Sequence, residues 1–479
     1  MNENCDCARR EIEFWAIIAR LEARVAQLEA KLAATKVKLA ATESELAKAK
    51  KNSSNSSKPP SSDIVKPPKS PRPKGGRRIG GQAGHPRHER EPFPPEAIDR
   101  TIVHELSCCP DCGGSLVPSS KPSDVIQQVE IAEKLVRVEE HQGRAYWCPR
   151  CRRFHWAPLP PEVERAGLVG PHLTTLIAYL KGACHASFST IRKFLRDVAR
   201  VTISRGQLAK IIGKVTWALD GPYRELLARL SSERRLNVDE TGHPENGKEL
   251  WTWCFRAEMY TLFKIDPSRG SGVLVEVLGK EFDGVLGCDY FSAYRKYMAD
   301  FGVEVQFCLA HLIRDVKFLT TLPNQATRAY GEKVLDGLRR LFRTIHRRDE
   351  MDEPEFQRAL ERARRALLRK ALGYVPDRSE AQNLARRFRE HGEAYFRFIT
   401  TPGIDPTNNL AEQAIRFVVI DRLVTQGTRG EKGRRWCERI WTTMATCDRQ
   451  ARSAFEYLLS AVTDSLAGRP YPSLTPSGP

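Results

Sequence analysis

The first readable pattern in the chain is helical. From Phe14 onward apolar positions return at alternating steps of three and four, through Ile18, Leu21, Val25, Leu28, Leu32, Leu39 and Leu46, with Thr35 and Thr42 filling two places in the seam. Ala, Glu, Lys and Arg take the outer positions, so the pattern predicts a coiled coil over residues 10–51. Ile18 and Val25 share one seam position and Leu21 and Leu28 the other, the arrangement that favours parallel pairing. A homodimer or higher oligomer joined through residues 18–46 is therefore expected. The periodicity then stops. Residues 52–98 are dominated by Ser, Asn, Pro, Lys and Gly, too poor in apolar surface to offset the entropy of ordering. They predict a flexible basic linker, and residues 468–479 a disordered tail.

Beyond the linker the period changes again. Residues 125–138 alternate Val and Ile with polar positions and read as ribbon strands. Residues 165–232 read as helices. Ser187 and Ser204 are placed to cap two of them on either side of a short break at Val201-Thr202. Such a pair is helix-turn-helix-like, and its second helix would offer Ser204, Arg205, Gln207 and Lys210 to a DNA groove. Residues 236–239, 250–255, 259–265 and 284–289 read as four strands, with a helix over 271–279 and a further apolar run at 301–307. Strand, strand, strand, helix, strand is the order of an RNase H-like sheet, in which the first and fourth strands are neighbours. Residues 324–400, dense in Arg, Glu, Leu and Ala at helical spacing, read as a helical insertion, and residues 436–467 as an apolar-striped helix under the sheet.

Composition sharpens this outline. A chain of 479 residues exceeds one compact core, so several domains are expected. The segments divide it into a coiled coil, a zinc-binding domain at 99–160, a helical DNA-binding region at 165–232 and an α/β catalytic core at 233–467. The fold class is thus a multidomain α+β protein with a zinc ribbon and an RNase H-like core. Lys and Arg outnumber Asp and Glu by 77 to 59, and the surplus of 18 positive charges points to a polyanion such as DNA. No apolar run approaches the roughly 18–20 residues of a membrane span and the N-terminus lacks a signal-peptide core, so no membrane partner and a cytoplasmic location are expected. Thirteen cysteines, an odd number including two Cys-Pro-x-Cys pairs, suit a reducing compartment and metal binding.

Those pairs are Cys109-Pro-Asp-Cys112 and, after 35 intervening residues, Cys148-Pro-Arg-Cys151. Each is a knuckle that can aim two thiolates at one ion. Together they predict a structural Zn²⁺ held by Cys109, Cys112, Cys148 and Cys151, with Cys108 as the alternative to Cys109. The second constellation is three acids: Asp239 and Asp289, each closing an apolar strand-like run, and Glu412, one turn into a helical pattern after Asn408-Asn409. Two strand-borne aspartates and a helix-borne glutamate suit a two-metal phosphoryl-transfer site. Arg416 lies one turn beyond Glu412 on the same face, where an ordinary surface salt bridge is the alternative. His311, in Cys308-Leu-Ala-His311, either faces this centre or starts its helix as a hydrogen-bonded ring. Gly-rich residues 426–435 offer Arg429, Lys432, Arg434 and Arg435 as phosphate contacts. Glu240 adjoins Asp239, and strand alternation sends it to the other face.

The chain resembles the insertion-sequence-66 family of bacterial DDE transposases. The likeness rests on the zipper-like start, the Asn-Ser-Ser-Asn-Ser-Ser-Lys-Pro-Pro tract from residue 52, Gly-Gly-Gln-Ala-Gly-His at 80–85 and the Cys-Pro-x-Cys pairs. It continues through Asp239-Glu-Thr, Asp289 with Ala293-Tyr294, Cys308-x-Ala-His311, and Asn408-Asn409 before Glu412. The resemblance implies an enzyme that cuts at transposon ends and joins the 3′ hydroxyls to target DNA. It implies two Mg²⁺ or Mn²⁺ on Asp239, Asp289 and Glu412, active-site support from His311, Asn409 and Arg416, and accessory proteins of the same element as partners. Two features depart from the family pattern: Asp289 is followed by Tyr290-Phe291 rather than Gly-Tyr, and residues 420–424 read Ile-Asp-Arg-Leu-Val. The rival reading is a DNA-binding regulator with a zinc ribbon and helix-turn-helix on an inert core.

Overall fold

The computed structural model describes residues 3–50, 91–115, 117, 125–129, 135–150 and 152–475. Cys151, linker positions 52–90 and tail positions 476–479 lie outside the described residues. The seam residues sit on one helix of 47 residues, α1 (Glu3–Ala49), and stay exposed along it: Leu21, Val25, Leu28, Leu32, Leu39 and Leu46 each keep half or more of their surface. A short hairpin, β1 (Ala145–Cys148) with β2 (Arg153–Trp156), carries Cys148 at the end of its first strand, with Pro149 and Arg150 in the turn that follows. The ribbon strands expected over 125–138 are absent from the described part of that segment. Val125, Ile126, Val129 and Val138 are exposed, and without a packed face no neighbouring strand is held against them.

Six helices follow or flank the helical region: α2 (Pro161–Ala166), α3 (Pro171–Gly182), α4 (Phe188–Asp197), α5 (Arg205–Ala218), α6 (Asp220–Arg229) and, far along the chain, α16 (Ala454–Ala467). Ser187 and Ser204 cap α4 and α5 by accepting the Thr190 and Gln207 N–H groups at 3.0 and 3.1 Å. α5 rests on α3, α16 and α15 (Glu431–Arg449), and one hydrophobic core runs from Ala166 to Leu474.

The central sheet has five strands: β3 (Arg235–Glu245), β4 (Lys248–Arg256), β5 (Thr261–Asp266), β6 (Val285–Cys288) and β7 (Glu304–Phe307), in the order β5-β4-β3-β6-β7. β4 is antiparallel to β3 and β5, whereas β6 is parallel to β3 and β7. β3 runs to Glu245, well past the end expected at residue 239, because Asn246 and Gly247 take φ of 46° and 82° and close a two-residue hairpin turn. Asn-Gly is the dipeptide such a turn requires. α7 (Gly272–Leu278) precedes β6, α8 (Ser292–Phe301) follows it, and α9 (Leu309–Leu319) leaves β7. The segment after α9 is helical: α10 (Gln325–His346), α11 (Glu353–Leu372), α12 (Ser379–His391) and α13 (Arg397–Thr400), with α10 and α12 against α9.

α14 (Asn409–Thr425) then crosses β3 and β4, and α15 packs on β5. The Gly-rich loop expected over 426–435 ends at Gly430; Lys432, Arg434 and Arg435 belong to the first turns of α15. The single helix expected over 436–467 is two, parted near residues 450–453, where Ala451 takes a φ of 51°. The expected tail returns to the core near residues 472–475. Leu474 is buried, and its carbonyl accepts from Gln450 Nε2 at 2.9 Å while Pro472 O accepts from Tyr457 OH at 2.8 Å.

Candidate active site

Backbone register brings the two aspartates together. β3 and β6 are parallel with Asn237 opposite Gly287, and Asp239 and Asp289 each lie two residues further along. Asp239 on β3 and Asp289, the residue after the end of β6, continue that register side by side, where neighbouring strands are about 4.8 Å apart, and parity sends them to the same face. Gly287 is required: a Cβ there would meet Asn237 Nδ2 at 2.5 Å. That amide crosses the sheet to donate to Asn408 Oδ1 at 2.9 Å, and Asn408 Nδ2 donates to Val238 O at 2.8 Å. Asn408 is buried and also gives its backbone N–H to Cys308 Sγ at 3.2 Å. It stands at the start of α14 without capping it through its side chain. Its amide is spent on β3 instead, one residue from Asp239, and this fixes the helix that carries Glu412.

Glu412 does not pair with Arg416, which is exposed. Its Oε1 lies 3.2 Å from Arg314 Nη2 and 3.5 Å from His311 Nδ1, both on α9. Arg314 also bonds His311 Nε2 at 3.1 Å. Burial, then the Arg314 charge, pushes the His311 imidazole down to about 4, so the ring is neutral near pH 7. α9 is seated by Cys308 N–H donating to Cys288 O, one residue before Asp289, and by Leu309 N–H donating to Pro406 O. Cys308, His311 and Glu412 bring one ligand atom each within 4.8 Å of one another, the one such group of three among the described residues. Asn409 is exposed at the first position of α14.

The acids repel one another. Burial first, and then the carboxylates of Glu240, Asp289 and Glu412, hold the Asp239 carboxyl well above the usual range. Asp289 rises to about 7 through burial and Glu240, opposed by the Phe291 N–H at 2.8 Å and by Arg269. Glu240 turns away from this face, as alternation requires, yet its charge acts on both aspartates. It is buried, accepts from Tyr294 OH and pairs with Arg269 at 2.8 Å. Arg269 in turn is sandwiched between Trp251 and Phe291, its guanidinium carbon 4.3 and 3.9 Å from the two ring centres. Sequence reading passed over this group, although Glu240 beside Asp239 and a basic residue in the β5–α7 loop were its signal.

The remaining predicted residues are scattered. Arg205 is exposed and bonds Ser189 Oγ at 2.6 Å; Gln207 is half-buried, and Lys210, Arg429 and Lys432 are exposed. Arg434 pairs with Glu245 and Arg435 with Asp220, each at 3.1 Å. At the knuckles, Gly113 N–H closes on Cys109 O and Arg152 N–H on Cys148 O, both at 2.8 Å and both with positive φ. The Asp111 and Cys112 backbone N–H groups also reach the Cys109 sulfur, and these bonds lower its pKa. Among the described residues Cys109, Cys112 and Cys148 do not gather into one cluster.

Comparison with known proteins bears on the family and not on this geometry. Uncharacterized protein y4qI of Sinorhizobium fredii is 26% identical over 305 residues, which span 58% of this chain and 56% of that relative. Two further uncharacterized proteins of the same organism, y4hP and y4jD, are 22% and 24% identical; the alignments cover 75% and 68% of this chain and 70% and 68% of the relatives. Residues 7–91 match a family of unknown function, DUF6444. Residues 166–435, from the end of α2 through the start of α15, match the Transposase IS66 family, and the chain belongs to that family.

Proposed function

We propose that the chain is a DDE-type DNA transposase that cuts at the ends of its element and transfers the 3′ ends to target DNA. Asp239, Asp289 and Glu412 are its catalytic acids. The observation that carries this reading is the joint placement of three acids by register and by Asn408, with like charge accumulated around Asp239. A pit in which the largest side-chain charges acting on Asp239 are those of Glu240, Asp289 and Glu412 suits divalent cations. Two Mg²⁺ or Mn²⁺ held by these carboxylates would supply Lewis acidity to the attacking hydroxyl and the leaving oxygen.

The chain's own residues position the acids. Asn408 holds α14 against β3, so Glu412 cannot drift from the sheet. Arg314 takes one oxygen of Glu412, and neutral His311 stands beside it without adding charge. The Arg269–Glu240 pair, clamped between two aromatic rings, stiffens the wall behind Asp239 and Asp289. An RNase H-like core is the fold reading that the strand order β5-β4-β3-β6-β7 supports. Arg205, Lys210, Arg429 and Lys432, exposed and without a carboxylate among the described residues, are the DNA contacts we favour over Arg434 and Arg435.

Around this core, Cys109, Cys112, Cys148 and Cys151 form a structural Zn²⁺ site. N–H bonds onto the Cys109 sulfur are what a thiolate in a metal-binding knuckle accepts, and four sulfurs leave no open position for catalysis. The exposed seam of α1 pairs with a second copy.

The test is cleavage of plasmid DNA carrying the element's ends in the presence of Mg²⁺. The wild type is expected to cut, and Asp239→Asn, Asp289→Asn and Glu412→Gln to bind the same DNA without cutting. Binding with no cleavage by the wild type would instead make the chain an inert regulator, and cutting by any variant removes that residue from the site.

A further inference from the structure

A cleft opens beside the acid pit, next to Asp289. It has a volume of about 520 Å³ and is lined by Tyr290, Arg295, Asn383, Arg386, Arg387 and Glu390. Tyr290 is the residue after Asp289, Arg295 comes from α8, and the other four come from α12, within the helical insertion. Sheet and insertion thus meet around one opening that starts beside the second acid.

Its chemistry is that of an anion site. The lining holds three arginines and one glutamate. Arg387 is steadied by Asp315 at 2.8 Å, and its guanidinium carbon lies 4.4 Å from the Tyr290 ring centre. Arg295 lies 4.6 Å from the same centre, so the ring carries a guanidinium on each of two contacts and is further packed by Tyr395, Phe307 and His391. Among the described residues neither Arg295 nor Arg386 has a carboxylate partner, and Arg295 Nε is buried with no hydrogen-bond acceptor. A buried charged donor left unpaired is costly, and an incoming phosphate oxygen would satisfy it. Stacking fixes the guanidinium planes in advance, which reduces the entropy lost when they bind a phosphate. Tyr290 itself is covered by these groups, so the cleft offers cations rather than a bare ring for base stacking.

We propose that this cleft binds the phosphodiester backbone of a DNA strand led past Asp289, with Arg295 and Arg386 as the direct phosphate contacts and Arg387 as the positioning residue between Asp315 and Tyr290. The inference rests on the reading of the chain as a DNA-cutting enzyme and adds a strand-binding role to the helical insertion. It also gives Tyr290 a role: the ring that follows the second acid is the platform on which the cleft's cations are arranged.

The experiment measures binding of the full chain to a single-stranded oligonucleotide as a function of salt, without divalent metal and in the Asp239→Asn background, so that cleavage plays no part. Each phosphate contact contributes about 0.7 to the slope of log K against log salt on a single strand. Arg386→Gln, at an exposed side chain that the fold tolerates, is expected to lower the slope by about 0.7, and Arg295→Gln with Arg386→Gln by about 1.4. The double lysine variant should restore it, because charge is retained. An unchanged slope in a variant with an unaltered thermal melt overturns the proposal. Displacement of the oligonucleotide is then tried with free deoxyadenosine monophosphate. Strong binding of that nucleotide to the wild type, lost in Arg386→Gln while the strand slope stays constant, would assign the cleft to a free nucleotide and also overturn it. A reduced slope in a chain that never cleaves plasmid DNA would refute the nuclease reading alone, and a constant slope in a chain that does cleave would refute the cleft alone.

Discussion

Replacing Asn408 by alanine is the sharpest test of how the third acid is held. The Asn408 amide makes two hydrogen bonds, to Val238 O at 2.8 Å and from Asn237 Nδ2 at 2.9 Å, at a position only 1% exposed. Two such bonds contribute about 1 kcal/mol each, and leaving the buried Val238 carbonyl without a donor costs about 1–2 kcal/mol more. Asn408→Ala should therefore destabilise the fold by about 3–4 kcal/mol, read as a lower midpoint in a urea titration with an unchanged slope. Function should suffer further, since an error of about 1 Å in a catalytic group can cost on the order of a hundredfold in rate. Asn408→Asp separates the two effects. It keeps the size but sets a carboxylate against the Val238 carbonyl, so it should lose cleavage at least as severely as alanine. If Asn408→Ala melts and cleaves like the wild type, the amide is not what holds α14 to the sheet, and the placement of Glu412 needs another cause.

Other expectations follow from the same structure. In metal-free buffer the raised Asp239 and Asp289 carboxyls make the folded state bind protons more tightly than the unfolded one. Their stabilising contribution is thus complete below the ordinary carboxylate pKa and is lost as pH rises through their raised values, about 7 for Asp289. Asp239→Asn should then raise the thermal midpoint at pH 8 and change it little at pH 4, while added Mg²⁺ should stabilise the wild type and not the variant; a midpoint lowered at pH 8 would contradict the repulsion argument. Purified chain should carry about one zinc per chain by atomic absorption, and Cys148→Ser should lose it while the melt of the core is unchanged. Zinc content that is unaffected by this change would remove Cys148 from the ligand set. Deleting residues 1–51 should turn an oligomer into a monomer by light scattering, and an unaltered association state would mean that α1 is not the joining element.

Much of this was legible beforehand, for identifiable reasons. Strands and helices betray themselves through period, so the strand order and the adjacency of the first and fourth strands could be expected from residues 236–289. Caps are local, and Ser187 and Ser204 cap as their positions suggested. What escaped was decided at a distance. Nothing near Asn408 says that its amide will prefer a strand carbonyl 170 residues earlier to the end of its own helix. Glu412 and Arg416 have the spacing of a helix salt bridge, yet α9 supplies Arg314 instead. Leu474 looks like part of a polar tail until the core offers it a slot. The Asn-Gly turn at 246–247 is the exception: its signal was local and plain, and the longer hairpin could have been read from it.

The residues beside Asp289 complete the case for treating the acid pit, the clamp and the cleft as one construction. Tyr290 and Phe291 depart from the Gly-Tyr that the family resemblance led us to expect, and a larger ring next to a catalytic acid ordinarily signals a disturbed site. Here both rings are occupied. Phe291 gives its N–H to Asp289 and its face to Arg269, the cation that offsets Glu240 behind the aspartates. Tyr290 packs on Phe307 and Tyr395 under Arg295 and Arg387, and ties the end of β6 to the helical insertion. A glycine at 290 would leave Asp289 in place through its own backbone contact yet remove the surface on which the two guanidinium groups rest. The departure therefore bears on how a strand is held beside the acids, while the acids themselves depend on register and on Asn408.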